Sequence, residues 1–477
     1  MAGWLRDEAR RLAPGDRLPS TRSLVEARKV SPVTVSRALA VLAAEGLIVT
    51  RPGAGAFVAD RPAGNDTADL SWQGIVLGER QVSAEGISAL ADPPGADDLI
   101  SLASGYPHPS LMPAQALRRA LNDAARSPQA WDRPPTAGLP ALRAWFARST
   151  SPGTCDARDV IITPGGQAAI TAAVRALLRG TGEPLLAESP TYPGALAAAR
   201  LAGARVLPVP ADEHGVIPGL LAEAFARSGA RAFYCQPAYH NPAGTVLAPG
   251  RRADVLAAAQ AAHAFIIEDD PGRWLSHGPR PPRPLLADDL DGRVVYLTSL
   301  TKAASPSLRI GAIIARGPVA ARLHATRVVE DMFVAWPLQE AALNLVTRLA
   351  WDRHLRQLGQ ELARRSSALA RDLHALLPAV RFQPPAGGMH LWARLPEGTD
   401  DTEVASAARQ AGVIVMPGHP FYPAEPPAPH LRLTFSAVSS EADLHTGIQR
   451  LASAAPALAK TPPSWPPSSP AAEVGVD

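Results

Sequence analysis

Between residues 98 and 455 the chain repeats one pattern, a short apolar run followed by a longer alanine-rich stretch. The apolar runs are Val160-Ile161-Ile162, Pro184-Leu185-Leu186-Ala187, Ala232-Phe233-Tyr234-Cys235, Ala264-Phe265-Ile266-Ile267 and Val294-Val295-Tyr296-Leu297. Runs this short, apolar at consecutive positions, predict strands buried on both faces, and the stretches between them predict helices. The alternation confines the region to the α/β class. It implies a mostly parallel sheet with helices on both faces, in which ligands bind beyond the carboxyl ends of the strands.

Only three of the 47 basic residues are lysines: Lys29, Lys302 and Lys460. A guanidinium stays charged at any working pH, whereas a lysine amine can lose its proton and condense with an aldehyde. Lys302, in Ser299-Leu300-Thr301-Lys302, follows the run at 294–297 and reads as a Schiff-base lysine for pyridoxal phosphate. The polar residues after the other runs suit the same group. Thr163-Pro164-Gly165-Gly166-Gln167 opens a helix whose free backbone N–H groups and dipole can hold a phosphate. Glu268-Asp269-Asp270 follows the run at 264–267 and offers a carboxylate to a protonated pyridine nitrogen. Taken alone, the first also fits a plain turn and the second a helix cap. Asn241, in Asn241-Pro242-Ala243-Gly244, can bond a ring oxygen, and Tyr192 offers an aromatic face. Ser299 and Arg309 flank Lys302 as phosphate donors.

Residues 98–455 resemble the fold-type I aminotransferases in TPGGQAAI, SPTYPG, NPAG, IIEDD, SLTKAASPSLRIG, GGMHLW and LRLTFS, seven motifs in family order. The resemblance implies a large, mostly parallel domain and a smaller α+β domain. It further implies that Lys302 carries the internal aldimine, Asp269 binds the pyridine nitrogen, Asn241 binds the ring oxygen and Tyr192 stacks on the ring. Gly166, Gln167, Ser299 and Arg309 would hold the phosphate, and Arg432 would receive a substrate or effector carboxylate. Two positions depart from the family. Pro271 stands where relatives often carry a tyrosine after the paired aspartates, and it has no donor. No tyrosine precedes Gly138 in Trp131-Asp132-Arg133-Pro134-Pro135-Thr136-Ala137-Gly138, where one would reach a partner subunit's phosphate; Arg133 is the available substitute.

All the excess positive charge lies at the other end. Residues 1–60 hold 9 Lys+Arg against 6 Asp+Glu, while the rest of the chain balances at 38 and 38. Trp4, Leu5, Ala9 and Leu12 lie at helical spacing before Pro14-Gly15. Ser20-Thr21 and Ser31-Pro32 then cap two short amphipathic helices, and residues 47–58 read as strand, glycine turn and strand. A helix, a helix-turn-helix and a wing form a module that reads duplex DNA. LPSTRSL and SPVTVSRALAVLAAEGLIVTRPGAGAFV resemble the GntR regulators. By that resemblance Arg22 contacts phosphate or base, Ser31 and Thr34 begin the recognition helix, Arg37 faces the groove, and Gly53 and Gly55 let the wing approach the minor groove. Many relatives carry an arginine at the position of Pro32.

The expected organisation is a winged helix-turn-helix over 1–60, a Pro/Gly-punctuated linker over 61–97, the aminotransferase-like domain over 98–455 and a disordered, proline-rich tail over 456–477. The combination resembles the MocR subfamily of GntR regulators. It implies a homodimer that binds a double-stranded DNA operator and senses an amino acid, an amine or pyridoxal phosphate itself. The alternative is a working aminotransferase with an appended DNA module. Cys155 and Cys235 form no metal-spaced or CxxC pattern, so neither a metal nor a redox role is expected. No run of about 20 apolar residues and no secretory leader occurs, so the expected compartment is the cytoplasm, with no membrane partner.

Overall fold

The computed structural model describes residues 1–51, 53–59, 70–77, 85–91, 99–278 and 282–460. Most of the expected linker, and the tail beyond residue 460, lie outside the described residues. The chain divides into two units, Met1–Arg80 and Gln81–Asp477.

In the first unit, helices Ala2–Arg11, Thr21–Arg28 and Pro32–Ala44 precede a hairpin of Ile48–Arg51 and Gly55–Val58. The side-chain oxygens of Ser20 and Ser31 accept from the backbone N–H of Ser23 and Thr34, satisfying donors that a helix start leaves open. Pro32 opens the third helix, where a missing N–H costs nothing. Leu5, Leu24, Val35, Leu42 and Ile48 are buried together as the core of this small unit. The hairpin pairs Ile48 with Val58 and Arg51 with Gly55. Gly53 and Gly55 both have positive φ, which a tight turn between antiparallel strands requires.

The second unit is built on an eight-stranded sheet. Its spatial order is Val160–Thr163, Gly311–Ile314, Val294–Ser299, Phe265–Asp270, Ala232–Cys235, Pro184–Ser189, Arg205–Asp212 and Gly215–Val216. The five strands from Val294–Ser299 to Arg205–Asp212 run parallel. Gly311–Ile314 runs antiparallel between Val294–Ser299 and Val160–Thr163, so the sheet is mixed at this edge. Helix Gly166–Leu177 packs Ala169, Ile170, Ala173 and Val174 against the sheet; small side chains let helix and strands approach closely. A four-stranded antiparallel sheet of Arg381–Phe382, His390–Arg394, His430–Thr434 and Met416–Pro417 forms the smaller α+β part with helices Leu349–Leu376 and Glu441–Ala454.

Three sequence expectations need correction. The carboxylates Glu268, Asp269 and Asp270 do not follow a strand: they are the last residues of Phe265–Asp270, extended because each is paired across the sheet or satisfied by buried donors. Order does not end at residue 456, because Leu458 is buried and its carbonyl accepts from Ala379 N. The segment assigned to the linker also contributes to the core, since Leu90 in helix Glu85–Ala91 is buried with Ala103, Met416 and Phe421.

Candidate cofactor site

A cavity of about 280 Å³ lies where the parallel strands end, and Lys302 is on its wall. The Nζ of Lys302 donates to the Gly105 carbonyl and sits 4.0 Å from the centre of the Tyr106 ring. Burial, and then the nearby Arg432 and Arg309 guanidinium groups, push the amine down to about 7, with Asp269 opposing. A large fraction of this amine is therefore uncharged at neutral pH, the form that attacks a carbonyl.

The glycines beside it form a cradle. Gly165 is the N-cap of helix Gly166–Leu177 and caps it with no side chain, so the first N–H groups of the helix face the cavity end. Its φ is +94°, and a Cβ there would fall 2.8 Å from the Arg309 guanidinium. Arg309 Nη2 donates to Pro164 O at 2.6 Å, which fixes the cation over the helix start. Ser299 Oγ lies 3.8 Å from where a Gly166 Cβ would stand. Gln167 donates to Gly194 O at 2.8 Å, while its Oε1 is buried without a partner.

Asp269 is held from behind. Tyr234 OH donates to its Oδ2 at 2.6 Å and Gln236 Nε2 donates to the same oxygen at 2.7 Å. No hydrogen bond among the described residues engages Oδ1, which leaves that oxygen for a protonated ring nitrogen. Burial raises the Asp269 carboxyl to about 6 against these two bonds, which pull it down. It remains mostly ionised at neutral pH. Gln236 also accepts from Asn241 N at 2.9 Å, so one amide links the carboxylate to the Asn241 loop.

Tyr192, expected to stack, lines the same cavity. Gly194 makes room for its ring: a Cβ at 194 would fall 2.3 Å from Tyr192 Cε1. Asn241 and Arg432 are brought together, and Arg432 Nη1 donates to Asn241 Oδ1 at 3.2 Å. Arg432 is 1 % exposed, has no carboxylate partner among the described residues, donates to Ala103 O and Ser104 O, and keeps a buried, unpartnered Nε. Burial pulls this guanidinium down to about 9. A buried cation without a counter-ion is costly, and an anionic ligand offsets that cost.

All eight residues expected at the cofactor, with Arg432, thus line one cavity. Sequence reasoning missed several others on its wall: Ile87 and Leu90 from the helix before the sheet, Tyr106 under the lysine, and His390. His390 is buried, and burial with the charges of Arg432 and Lys302 keeps it neutral. Tyr239, one of the phenols on the cavity wall near Pro271, is engaged elsewhere, its OH donating to Ser276 Oγ at 2.8 Å. Arg133 is exposed in the loop before Gly138.

In the first unit, Arg22 is exposed and 3.1 Å from Glu26. Ser31 and Thr34 stand at the start of helix Pro32–Ala44 with their hydroxyls 2.9 Å apart, and Arg37 is exposed on the same helix.

Residues 97–451 match the model of aminotransferase class I and II. The chain belongs to the aminotransferase class I and II family. Residues 8–58 of this family member match the model of the bacterial regulatory proteins, gntR family. It is 28% identical over 453 residues to the HTH-type transcriptional regulator YisV of Bacillus subtilis, covering 93% of this chain and 92% of that protein. It is 29% identical to aromatic-amino-acid aminotransferase 1 of Thermococcus litoralis, over 74% of this chain and 87% of that one. Among solved structures, the α-aminoadipate aminotransferase LysN of Thermus thermophilus, complexed with N-(5'-phosphopyridoxyl)-L-leucine, superposes with a TM-score of 0.72 at 27% identity, over 82% of this chain and 99% of that one.

A GntR helix-turn-helix joined to an aminotransferase domain is the MocR architecture, and the chain is a DNA-binding regulator fused to an aminotransferase-like domain. Family and neighbours indicate pyridoxal phosphate as the cofactor, and the uncapped helix start, the glycine cradle and the open Asp269 oxygen fit it. When bound, that group supplies an aldehyde for amines and a ring that withdraws electrons. No described helix is long and apolar enough to cross a membrane, and no cluster of metal-ligating side chains occurs among the described residues.

Proposed function

We propose that the chain is a transcriptional regulator that holds pyridoxal phosphate at Lys302 and senses an amino acid, an amine or the cofactor itself. Asp269, Asn241, Tyr192, Gly166, Gln167, Ser299 and Arg309 hold the cofactor, and Arg432 receives the carboxylate of an effector. The observation that carries this reading is the pairing, in one buried cavity, of an amine near neutral pKa with a guanidinium that lacks a counter-ion. The first takes up a carbonyl and the second a carboxylate, and an amino acid offers both an amine to exchange and a carboxylate to bind. The DNA module makes the readout a change in operator binding, which is work for the cytoplasm.

The active form in this reading is a homodimer, with two modules on paired half-sites. Trp131, 86% exposed and two residues from Arg133, supports a surface that a second copy covers.

The test is the visible spectrum of the protein loaded with pyridoxal phosphate, beside Lys302→Ala, during titration with amino acids and amines, with DNA binding followed in parallel. A sensor gives a Lys302-dependent band that shifts and stays shifted for one ligand, together with altered DNA affinity. Accumulation of keto acid over many turnovers would instead assign a working transaminase, the activity named for the Thermococcus litoralis relative. The absence of any Lys302-dependent band would overturn both.

A further inference from the structure

The outward ridge of the recognition helix is unusual in what it offers a base pair. On helix Pro32–Ala44, Val35, Ala38 and Leu42 face the core. The first-turn residues that stand outward are Pro32, Val33 and Thr34, followed by Ser36 and Arg37. Pro32 has neither an N–H nor a polar side chain. Thr34 is engaged locally, because its hydroxyl is 2.9 Å from Ser31 Oγ and its N–H donates to the same oxygen at 3.2 Å. The side chain left standing clear at the helix start is Val33, 60% exposed. An isopropyl group there stands mostly in water in the folded protein.

We propose that Val33 reads the C5-methyl group of a thymine in the major groove. The inference rests on the DNA-binding reading of the gntR-family unit and deepens it. The charge around the valine suits duplex DNA: Arg37 stands one helical turn further along the same exposed ridge, and residues 1–60 carry the chain's whole excess of positive charge. In the major groove the thymine methyl is the one apolar feature of a base edge, and small apolar side chains pack on it. Arginine contacts to phosphates position the helix, so a methyl-to-methyl contact adds discrimination without adding charge. Val33 is thus a specificity residue, and its loss leaves the salt dependence of binding unchanged.

The test begins with selection of a preferred duplex from a random pool by the full-length protein. Each thymine of that duplex is then replaced singly by deoxyuridine, which removes only the methyl group, and binding is measured for the wild type and for Val33→Ala. One position per half-site is expected to weaken wild-type binding about fourfold, the factor carried by burying one methyl group. In Val33→Ala that penalty vanishes, while the slope of affinity against salt stays the same. If no uridine replacement weakens wild-type binding, or if the penalty survives in Val33→Ala, the assignment is overturned although the protein still binds DNA. Selection that enriches no sequence would overturn the DNA-reading assignment itself, and this inference with it.

Discussion

The Nη1 of Arg432 donates to the Oδ1 of Asn241 at 3.2 Å, which joins the residue expected at an effector carboxylate to the residue expected at the cofactor's ring oxygen. A carboxylate that occupies Arg432 competes for this bond. Ligand binding and the orientation of the Asn241 amide are therefore linked through one hydrogen bond.

Replacing Arg432 with leucine separates two consequences of its burial. The variant without ligand is expected to stay within about 1 kcal/mol of the wild type, because removing a buried cation that lacks a counter-ion is offset by the Ala103 and Ser104 carbonyls it leaves without a donor. Its affinity for amino acids should fall roughly 30- to 100-fold, the scale of losing one partner of a buried charge pair. Amines that lack a carboxylate should bind as before. Thermal melting and spectral titration measure the two halves, and equal losses for amino acids and amines would remove Arg432 from carboxylate binding.

The rate of cofactor capture should report the lowered amine of Lys302. Only the uncharged amine attacks the aldehyde, so the rate rises with pH through a midpoint near the folded value of about 7 and levels off above it. A midpoint near the ordinary lysine value would show an amine in contact with water. Stopped-flow absorbance across the pH range decides between them.

Tyr234→Phe removes one of the two donors to Asp269 Oδ2. That bond holds the carboxyl down against burial, so its loss moves the carboxyl above about 6. The ionised form, which in the proposed reading pairs with a protonated ring nitrogen, is lost as pH falls through the folded value. The variant should therefore release cofactor at a higher pH than the wild type during acidification. The lost buried bond should also cost about 1 kcal/mol of stability. Dialysis at stepped pH, followed by absorbance of the retained cofactor, reads the midpoint.

Gly194→Ala places a methyl group 2.3 Å from the Tyr192 ring and 2.4 Å from Gln167 Oε1. Something must move, at a cost of roughly 1–3 kcal/mol, and the tyrosine ring is the closest neighbour. The expected result is weaker cofactor binding with the fold retained. Unchanged affinity would mean that the ring is not held where Gly194 admits it.

Much of the site was legible in the sequence because its residues sit at fixed offsets from strand ends. Lys302, Ser299, Gly166 and Asn241 could all be placed this way, since each follows a run apolar at every position. The strand Arg205–Asp212 was not legible. Only Val209 in it is buried and it contains Pro208 and Pro210, so it lacks the continuous apolar signature. Gly311–Ile314 opens on Gly311 and Ala312, which leaves only Ile313 and Ile314 to signal a strand. Tyr106, Leu90 and His390 reach the cavity through long-range packing, for which a single sequence carries no local signal. His390 lay within a motif, but its burial beside two cations becomes visible only when the surroundings are built.

The strand Gly311–Ile314 runs opposite to its two neighbours, so its beginning meets their ends. Gly311 lies in one row with Thr163 on one side and Ser299 on the other. Arg309, two residues before that row, is thereby delivered to the helix start at Gly166 although more than a hundred residues separate them in sequence. The strand works as a gauge laid across the sheet. Because side chains alternate between faces, an insertion or deletion of a single residue within it would turn the guanidinium from the cradle while leaving every cradle residue in place. The grip on a phosphate proposed for this cradle would thus be set by a count of residues in a strand whose own side chains lie outside the cavity.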